Sequence, residues 1–264
     1  MDLQLQGKTA LVTGSTAGIG LAIVEALARE GADVIINGRT SQRVERAIAS
    51  IRKTNSAAKL RGVAADLSTA AGADRMIAEV PKLDILVNNM GIFEPKPFAE
   101  IPDSDWLRFF ETNVLSGIRL ARHYFPRMLS ANWGRVIFIS SESAVQIPAE
   151  MIHYGMTKTA QIAVARGMAE LTKGTGVTVN SVLAGPTKSE GVETFVSQMA
   201  ASRGVDQATI ERDFFASVRP TSLLKRFEQP AEIAQVVAFV ASPLASAING
   251  AAVRAEGGVV QAAL

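Results

Sequence analysis

The chain has 264 residues and contains no cysteine and only two histidines, His123 and His153. The absence of cysteine excludes disulfides, thiolate nucleophiles and sulfur-ligated metals, and two histidines are too few for a histidine-rich metal site. No uninterrupted apolar run reaches the roughly 18 residues that a membrane-spanning helix needs, and residues 1–7 show no secretory signal. We therefore expect a cytoplasmic, soluble protein with no metal and no membrane partner.

Charge is also nearly balanced, with 27 Lys and Arg against 25 Asp and Glu, and the cations do not cluster. Because phosphate binding requires clustered cations, nucleic acid is not expected as a partner. The 48% hydrophobic share with few aromatics is typical of a core of Ala, Val, Ile and Leu between a sheet and helices. The length predicts one domain over residues 1–264.

Short apolar runs alternate with amphipathic stretches along the chain. The runs predict strands at Lys8 to Thr13, Val34 to Asn37, Arg61 to Ala65, Ile85 to Asn88, Val136 to Ser140, Thr178 to Val182 and Ala252 to Ala255. The stretches between them predict helices at Leu21 to Glu30, Ser41 to Lys53, Ala71 to Val80, Asp103 to Ser130, Tyr154 to Thr172 and Ala231 to Ala241. This order predicts an α/β fold, a Rossmann-type doubly wound parallel sheet of about seven strands with helices on both faces.

One segment departs from this alternation. Residues 186–227 form a long, charged connection with scattered apolar residues. A connection of that length in a compact domain is usually a functional lid, so we predict a substrate lid there. Four of its cations are candidates to meet an anionic substrate, although a solvated helical surface is the simpler interpretation of them: Lys188, Arg203, Arg212 and Arg219.

The pair Tyr154 and Lys158 carries the chemistry. Their spacing of four places both side chains on one face of a helix. A nearby ammonium lowers the pKa of a phenol, and such a tyrosine can donate and accept a proton near neutral pH. His153 lies beside this pair, and a surface position is the simpler interpretation for it.

A glycine-rich turn follows the first strand and opens the first helix. It runs Thr13, Gly14, Ser15, Thr16, Ala17, Gly18, Ile19, Gly20. Glycines permit a tight turn and a close backbone approach, so the free N–H groups of the helix can meet a pyrophosphate. The turn therefore predicts a dinucleotide site.

The end of the second strand bears on which dinucleotide binds. An NAD site usually has an acidic residue about 20 positions after the glycines, whereas an arginine suits the 2′-phosphate of NADP. Here Gly38 occupies the acidic position and Arg39 follows. We predict that NADP(H) is preferred over NAD(H).

Polar residues follow three further strands of the predicted sheet. Asp66 can accept from an adenine amino group or cap the next helix, and Asn88 and Gly91 allow the backbone to approach a ribose. Ser141 can donate to a substrate carbonyl, and Asn113 can bind a water that links Lys158 to solvent. Each of these signals is weak when taken alone.

Together these motifs resemble those of the short-chain dehydrogenase/reductase superfamily, in its single-domain branch, over the whole chain. The resemblance implies a catalytic tetrad of Asn113, Ser141, Tyr154 and Lys158. It also implies that Lys158 holds the nicotinamide ribose beside Tyr154, and that the cofactor is cradled by Gly14, Ser15, Thr16, Gly18, Ile19, Gly20, Arg39, Asp66, Leu67, Asn88 and Gly91. Thr187 and Ser189 are candidates for the nicotinamide amide and the phosphates, and Met90 stands where the family usually has alanine.

The resemblance implies reversible hydride transfer between a nicotinamide cofactor and a ketone or aldehyde, with an alcohol as the reduced partner. A 3-oxoacyl thioester, a sugar, a steroid and a small cyclic ketone remain open as substrates. It also implies a homo-oligomer, a tetramer or a dimer. A non-catalytic dinucleotide sensor or structural subunit on the same fold is an alternative, and an epimerase or dehydratase that uses the same dyad is a second.

Overall fold

In the computed structural model, strands and helices alternate along residues 1–263, which the structure describes apart from the side chains of Glu190 and Phe195. The strands are β1 (Thr9–Val12), β2 (Asp33–Gly38), β3 (Leu60–Ala64), β4 (Ile85–Asn88), β5 (Gly134–Ser141), β6 (Val177–Ala184) and β7 (Ala252–Ala255). The helices are α1 (Gly18–Arg29), α2 (Ser41–Thr54), α3 (Ala70–Glu79), α4 (Asp103–Phe110), α5 (Ser116–Ser130), α6 (Ile152–Ala169), α7 (Glu190–Arg203), α8 (Gln207–Ser217) and α9 (Pro230–Ala241).

The seven strands form one parallel sheet in the order β3-β2-β1-β4-β5-β6-β7. β4, β5 and β6 are buried along their whole length, as unalternating apolar runs predict for strands covered on both faces. The strand order reverses between β1 and β4, and ligands bind outside the carboxyl ends of the strands at such a point. The predicted Rossmann-type architecture and strand number are confirmed.

Helices cover both faces of the sheet, and the apolar side chains between sheet and helices are buried. On one face α1 and α9 pack on the strands through residues such as Ile23 and Val237. On the other face α5 and α6 pack through Leu120 and Ala165. On this second face α6 packs against β5 and β6, so Tyr154 and Lys158 on α6 lie close to these two strands.

Several helix boundaries differ from the prediction by one to three residues, and two differences concern the site. α1 begins at Gly18 rather than at Leu21, so the last glycines of the turn form its first residues. The helix predicted over residues 103–130 is interrupted by a π-helical turn, Glu111–Leu115, between α4 and α5. The interruption contains Asn113, and π turns inside α-helices occur frequently at functional sites.

The segment predicted as a lid folds into α7 and α8. These helices pack on each other around a small apolar cluster of their own, formed by Val196, Ala200, Ile210, Phe215 and Phe227. The role of this segment as a lid stays a prediction.

Across residues 1–263, no helix combines the length and apolarity that crossing a bilayer demands.

Candidate active site

A cavity of about 720 Å³ lies at the carboxyl ends of the strands. The glycine-rich turn, the ends of β5 and β6, and the start of α6 contribute to its wall. α7 and α8 add a largely apolar side, which includes Val192, Val196, Met199, Ile210 and Phe214. Tyr154, Lys158 and Ser141 all line this cavity, so the structure brings three of the four predicted catalytic groups to one place.

The glycine-rich turn has the shape of an anion cradle. Gly14 and Gly18 have φ values of +58° and +56°, which side chains rarely adopt. A Cβ at Gly20 would lie 2.5 Å from Asn89 Nδ2, so that position has no room for a side chain. Ala17 precedes α1 without a side-chain cap, and the first turn of α1 lines the cavity. The free N–H groups of α1 therefore fit a pyrophosphate.

Neighbouring side chains hold the turn in this shape. Asn89 Nδ2 donates to the carbonyl oxygens of Thr13 and Gly14 at 2.9 and 3.1 Å. Ser15 Oγ donates to Val12 O at 2.7 Å and is fully buried. The Ser15 side chain therefore stabilises the turn instead of facing a ligand, and the contact predicted for it can come only from its backbone.

Asn88 and Met90 point away from the cavity. The Asn88 side chain is buried against Gly117, where a Cβ would lie 3.0 Å from Asn88 Cγ, and neither polar atom of its amide has a hydrogen-bond partner. Met90 packs on the core beneath the sheet. Asn89 and Gly91 line the cavity in their place. Because strand pleating turns the Asn88 side chain to the other face, a cofactor contact of Asn88 can come only from its backbone, and the predicted contact stays a prediction.

The end of β2 has no space for an acidic side chain. A Cβ at Gly38 would lie 2.5 Å from Thr16 Cγ2. Arg39 is exposed beside this contact. Gly38 therefore stands in the place of the usual acid because Thr16 packs against it. The sequence pattern alone does not reveal this contact.

Asp66 shapes the turn that follows β3. Its exposed carboxylate accepts from the backbone N–H and the hydroxyl of Ser68 at 3.1 and 2.7 Å. Thr69, not Asp66, caps α3 by accepting from Gly72 N. Leu67 is fully buried in the core, so its side chain cannot flank an adenine. The alternative in which Asp66 caps the helix is wrong, and its adenine contact stays a prediction.

Tyr154 and Lys158 lie on one face of α6, as their spacing predicts. Lys158 Nζ is 5.6 Å from the centre of the Tyr154 ring and donates to Ile139 O at 2.8 Å. Burial lowers the pKa of Lys158 to about 8, which the negative charge of Glu142 partly offsets. Lys158 is therefore still mostly charged at neutral pH.

The pKa of Tyr154 differs from the prediction. Burial of the phenol raises it above the ordinary value, and the charge of Glu142 raises it further. Hydrogen bonding to Ser141 and the charge of Arg219 act in the opposite direction. A lowered pKa due to Lys158 is thus not present here, because desolvation outweighs the attraction of the ammonium. A protonated phenol suits a proton donor.

Asn113 has protein partners at every polar atom of its side chain. Nδ2 donates to Ile92 O and Thr157 Oγ1, and Oδ1 accepts from Ile92 N. Because Oδ1 accepts from Ile92 N and has a second lone pair, the water predicted at Asn113 stays a prediction. The backbone carbonyl of Asn113 accepts from Gln161 Nε2 at 2.6 Å, while Gln161 Oε1 lies 3.3 Å from Lys158 Nζ. Gln161, which the sequence did not single out, links Lys158 directly to Asn113.

Replacing Gln161 with leucine should lower kcat about tenfold, since loss of its amide frees the ammonium of Lys158 and leaves Asn113 O without a donor. An unsatisfied buried group of this kind also costs about 1–3 kcal/mol of stability. Steady-state kinetics and thermal unfolding measure the two effects. Gln42→Leu, at an exposed position of α2, is the control. Equal kinetics in both variants would show that the link to Lys158 has no effect on turnover.

Ser141 is engaged by a residue that the sequence did not single out. Its hydroxyl donates to the adjacent carboxylate of Glu142 and accepts from Ser143 N at 3.1 Å. Glu142 is buried in the cavity wall and pairs with Arg219. In the sequence, the one signal that could have identified Glu142 is its place directly after the two serines at the end of β5.

The four cations of the 186–227 segment divide into two groups. Lys188 and Arg203 lie near carboxylates on α8, at 3.7 and 3.6 Å, and Arg212 donates to Thr209 on its own helix. Arg219 is buried and lines the cavity, whereas Arg203 lines the cavity but is exposed. The solvated-surface interpretation thus holds for Arg212 and is wrong for Arg219.

His153 is fully buried, not at the surface as predicted. Its ring lies 4.0 Å from the Phe109 ring and 5.9 Å from the Trp106 ring, measured between centres. Neither ring nitrogen has a hydrogen-bond partner. Burial lowers its pKa, so the ring is neutral near pH 7 and packs as an apolar group.

Thr187 and Ser189 lie where β6 leads into α7. Thr187 Oγ1 donates to Gly185 O at 2.8 Å, and Ser189 Oγ caps α7 by accepting from Val192 N at 3.3 Å. Both residues line the cavity, and Ser189 Cβ lies 3.5 Å from the Cβ position of Gly18. Ser189 therefore lies next to the glycine-rich turn. Among residues 1–263 no cluster of three or more potential metal ligands occurs.

Comparison with known proteins is consistent with this geometry. A sequence profile described as short chain dehydrogenase matches residues 8–200. The uncharacterized oxidoreductase YvaG of Bacillus subtilis is 50% identical over 261 residues, covering 99% of both chains. The 3-oxoacyl-(acyl-carrier-protein) reductase FabG of Aquifex aeolicus is 32% identical over 263 residues, covering 98% of this chain and 100% of that protein. L-sorbose reductase from Gluconobacter frateurii, solved with NADPH and L-sorbose, superposes with a TM-score of 0.93 at 29% identity, covering 99% of this chain and 100% of that chain.

Proposed function

The chain belongs to the short chain dehydrogenase family, and we propose that it is an NADP(H)-preferring oxidoreductase that interconverts a ketone or aldehyde and an alcohol. Membership makes it an oxidoreductase that acts on CH–OH groups. The observation that carries the proposal is the convergence of Tyr154, Lys158 and Ser141 on one cavity beside the glycine-rich turn. A binding-only protein has no need of that convergence.

The proposed mechanism assigns one task to each side chain. When bound, the nicotinamide supplies hydride to the carbonyl carbon or accepts it from the alcohol carbon. Tyr154 gives its phenolic proton to the substrate oxygen in reduction and takes it back in oxidation. Ser141 hydrogen-bonds that oxygen as it gains negative charge. Lys158 keeps its ammonium beside the phenol, held by Ile139 O and Gln161, and Asn113 anchors this arrangement from the π-helical turn.

The same wall fits the cofactor. Gly14, Gly18 and Gly20 would hold the pyrophosphate against the first turn of α1, with Thr16 and Ile19 beside them. Lys158 would hold the nicotinamide ribose, and Thr187 and Ser189 the amide and phosphates. The backbone of Gly91 would lie along the adenosine ribose, and Asp66 would reach the adenine. The support is the shape of the turn, the uncapped start of α1 and the exposure of Asp66.

The preference for NADP(H) depends on Arg39. Arg39→Ala should lower kcat/KM with NADPH about tenfold and leave that with NADH unchanged, because a charge-assisted hydrogen bond to the 2′-phosphate contributes about 1.5 kcal/mol or more. Steady-state rates with both cofactors give the ratio. Arg46→Ala, at an exposed position on α2, is the matched control. An unchanged ratio in Arg39→Ala would assign the arginine to the solvated surface.

The substrate is proposed to carry an apolar chain or ring. Support comes from the side that α7 and α8 contribute, where Val196, Met199, Ile210 and Phe214 face the cavity. We propose that this segment, within a single domain, is the lid that covers the substrate. FabG, named as a 3-oxoacyl reductase, makes 3-oxoacyl thioesters the first substrates to assay. A panel of such thioesters, steroids, sugars and cyclic ketones, followed through NADPH absorbance, tests the class.

A homo-oligomer, dimer or tetramer, is also proposed. The support is a row of exposed apolar side chains around α4, where Phe98 and Leu107 are 64% and 66% exposed. Such side chains on a soluble surface favour burial against a second copy. Light scattering at assay concentration measures the mass.

A further inference from the structure

Glu142 occupies an unusual place for a carboxylate. It follows Ser141 directly, lines the cavity and is only 4% exposed. One carboxylate oxygen accepts the Ser141 hydroxyl, and the other accepts Ser143 Oγ and Arg219 Nε, each at 3.1 Å. A buried carboxylate is costly unless it is paired and hydrogen-bonded, and both conditions are met here.

Arg219 supplies the opposite charge from a different part of the fold. It follows α8, is 8% exposed, and also donates through Nη1 to Glu150 at 2.9 Å and to Val218 O. Glu142 lies at the end of β5, and Glu150 precedes α6. The guanidinium therefore joins the α7–α8 segment to the two elements that carry Ser141 and Tyr154.

We propose that Glu142 and Arg219 form a positioning pair, in which Glu142 fixes the Ser141 hydroxyl and sets the charge beside Tyr154 while Arg219 holds Glu142 in place from the α7–α8 segment. The inference rests on the proposed function, since it concerns the proton chemistry of that same site. If the proposal is correct, Ser141 is correctly oriented only when α7 and α8 are packed against the rest of the domain.

The Ser141 hydroxyl has one proton and two lone pairs. In the observed arrangement Glu142 takes the proton and Ser143 N occupies one lone pair, so the rotation of the hydroxyl is fixed. Because Arg219 shares the carboxylate, it limits how strongly Glu142 retains that proton when a substrate oxygen arrives. Losing either partner therefore changes what Ser141 can offer to the substrate.

The pair also acts on Tyr154 through charge. The negative charge of Glu142 raises the pKa of Tyr154 and the positive charge of Arg219 lowers it. The other charged groups that interact with Glu142 are Lys158, whose pKa it raises, and Glu228, whose own pKa it raises. The two members of the pair thus have opposite effects on the same phenol.

Alcohol oxidation as a function of pH tests the proposal, because the phenol must be ionised to accept the substrate proton. Glu142→Gln keeps the shape of the side chain and should move the rise of kcat/KM to lower pH while kcat falls about tenfold. Arg219→Gln should move the rise to higher pH and loosen α7 and α8, seen as faster backbone hydrogen exchange. The double variant Glu142→Gln/Arg219→Gln should return the profile towards that of wild type.

Glu232→Gln is the matched control, since Glu232 forms an Arg–Glu pair with Arg226 at the surface, and its pH profile should equal that of wild type. If Arg219→Gln does not fold, Arg219→Lys and the double variant provide the second arm. An unchanged profile in Glu142→Gln, or shifts of the same sign in both single variants, would overturn the proposal. Wild-type turnover that depends on Tyr154 in the same assay keeps the proposed function intact in that case.

Discussion

Tyr154→Phe is expected to lower kcat at least about a hundredfold, the usual scale of a positioned acid or base, while NADPH still binds. The phenol lines the cavity beside Ser141 and Lys158, and its raised pKa keeps the proton available at neutral pH. Phenylalanine keeps the ring and its edge-to-face contact with Phe93, whose ring centre is 6.3 Å away. Only the hydroxyl group is lost, so the rate should fall without a loss of folding.

The chain provides a matched control because its only other tyrosine is Tyr124. That hydroxyl is buried on α5 and donates to Val80 O at 2.6 Å. Tyr124→Phe should cost about 1 kcal/mol of stability, the usual worth of such a hydrogen bond, and leave kcat near wild type. Kinetics, NADPH titration and thermal unfolding of both variants separate the two roles. Near-normal turnover in Tyr154→Phe would remove this phenol from the chemistry.

Lys158→Met should have the second large effect, a fall in kcat/KM of about a hundredfold together with weaker NADPH binding. The substitution removes the ammonium beside Tyr154 and leaves Ile139 O and Gln161 Oε1 without their donor. Lys173→Met is the control, because that lysine is 81% exposed and pairs with Glu170 at the surface. Equal NADPH affinity in wild type and Lys158→Met would contradict a role for Lys158 in holding the cofactor.

The pKa of Lys158 adds a dependence on pH. Burial lowers it to about 8, so the side chain is charged below that pH and becomes neutral as the pH rises through it. NADPH affinity in the wild type should therefore weaken as the pH rises from about 7 to about 9, and it should be flat over this range in Lys158→Met. Fluorescence titration of NADPH at several pH values measures this directly. A wild-type curve as flat as that of the variant would rule out the ammonium as the source.

Much of the fold could be predicted from the sequence, because short β-branched runs and helix-ending residues act locally. Gly31 follows α1 with a φ of +83°, and the Thr40 side chain caps α2. The family and the class of enzyme, which the resemblance of the motifs to the short-chain dehydrogenase/reductase superfamily implied, are likewise confirmed. The roles of the individual residues in catalysis and cofactor binding stay predictions.

The remaining features depend on where distant segments meet. Glu142 and Arg219 are 77 residues apart, and Gln161 and Asn113 are 48 apart, so no local pattern pairs them. The pKa of Tyr154 depends on the burial of the whole cavity, and the burial of His153 depends on the packing of α4 on α6. Such contacts are set by tertiary packing, which motif spacing does not encode.

Transfer of deuterium from NADPH labelled at nicotinamide C4 tests the central claim most directly. With a carbonyl substrate found in the screen, deuterium should appear on the carbinol carbon of the product at a rate equal to cofactor oxidation, and Tyr154→Phe should abolish this transfer while retaining NADPH. Cofactor binding with no labelled product across the full panel, or label released to water in place of the carbinol carbon, would contradict the account.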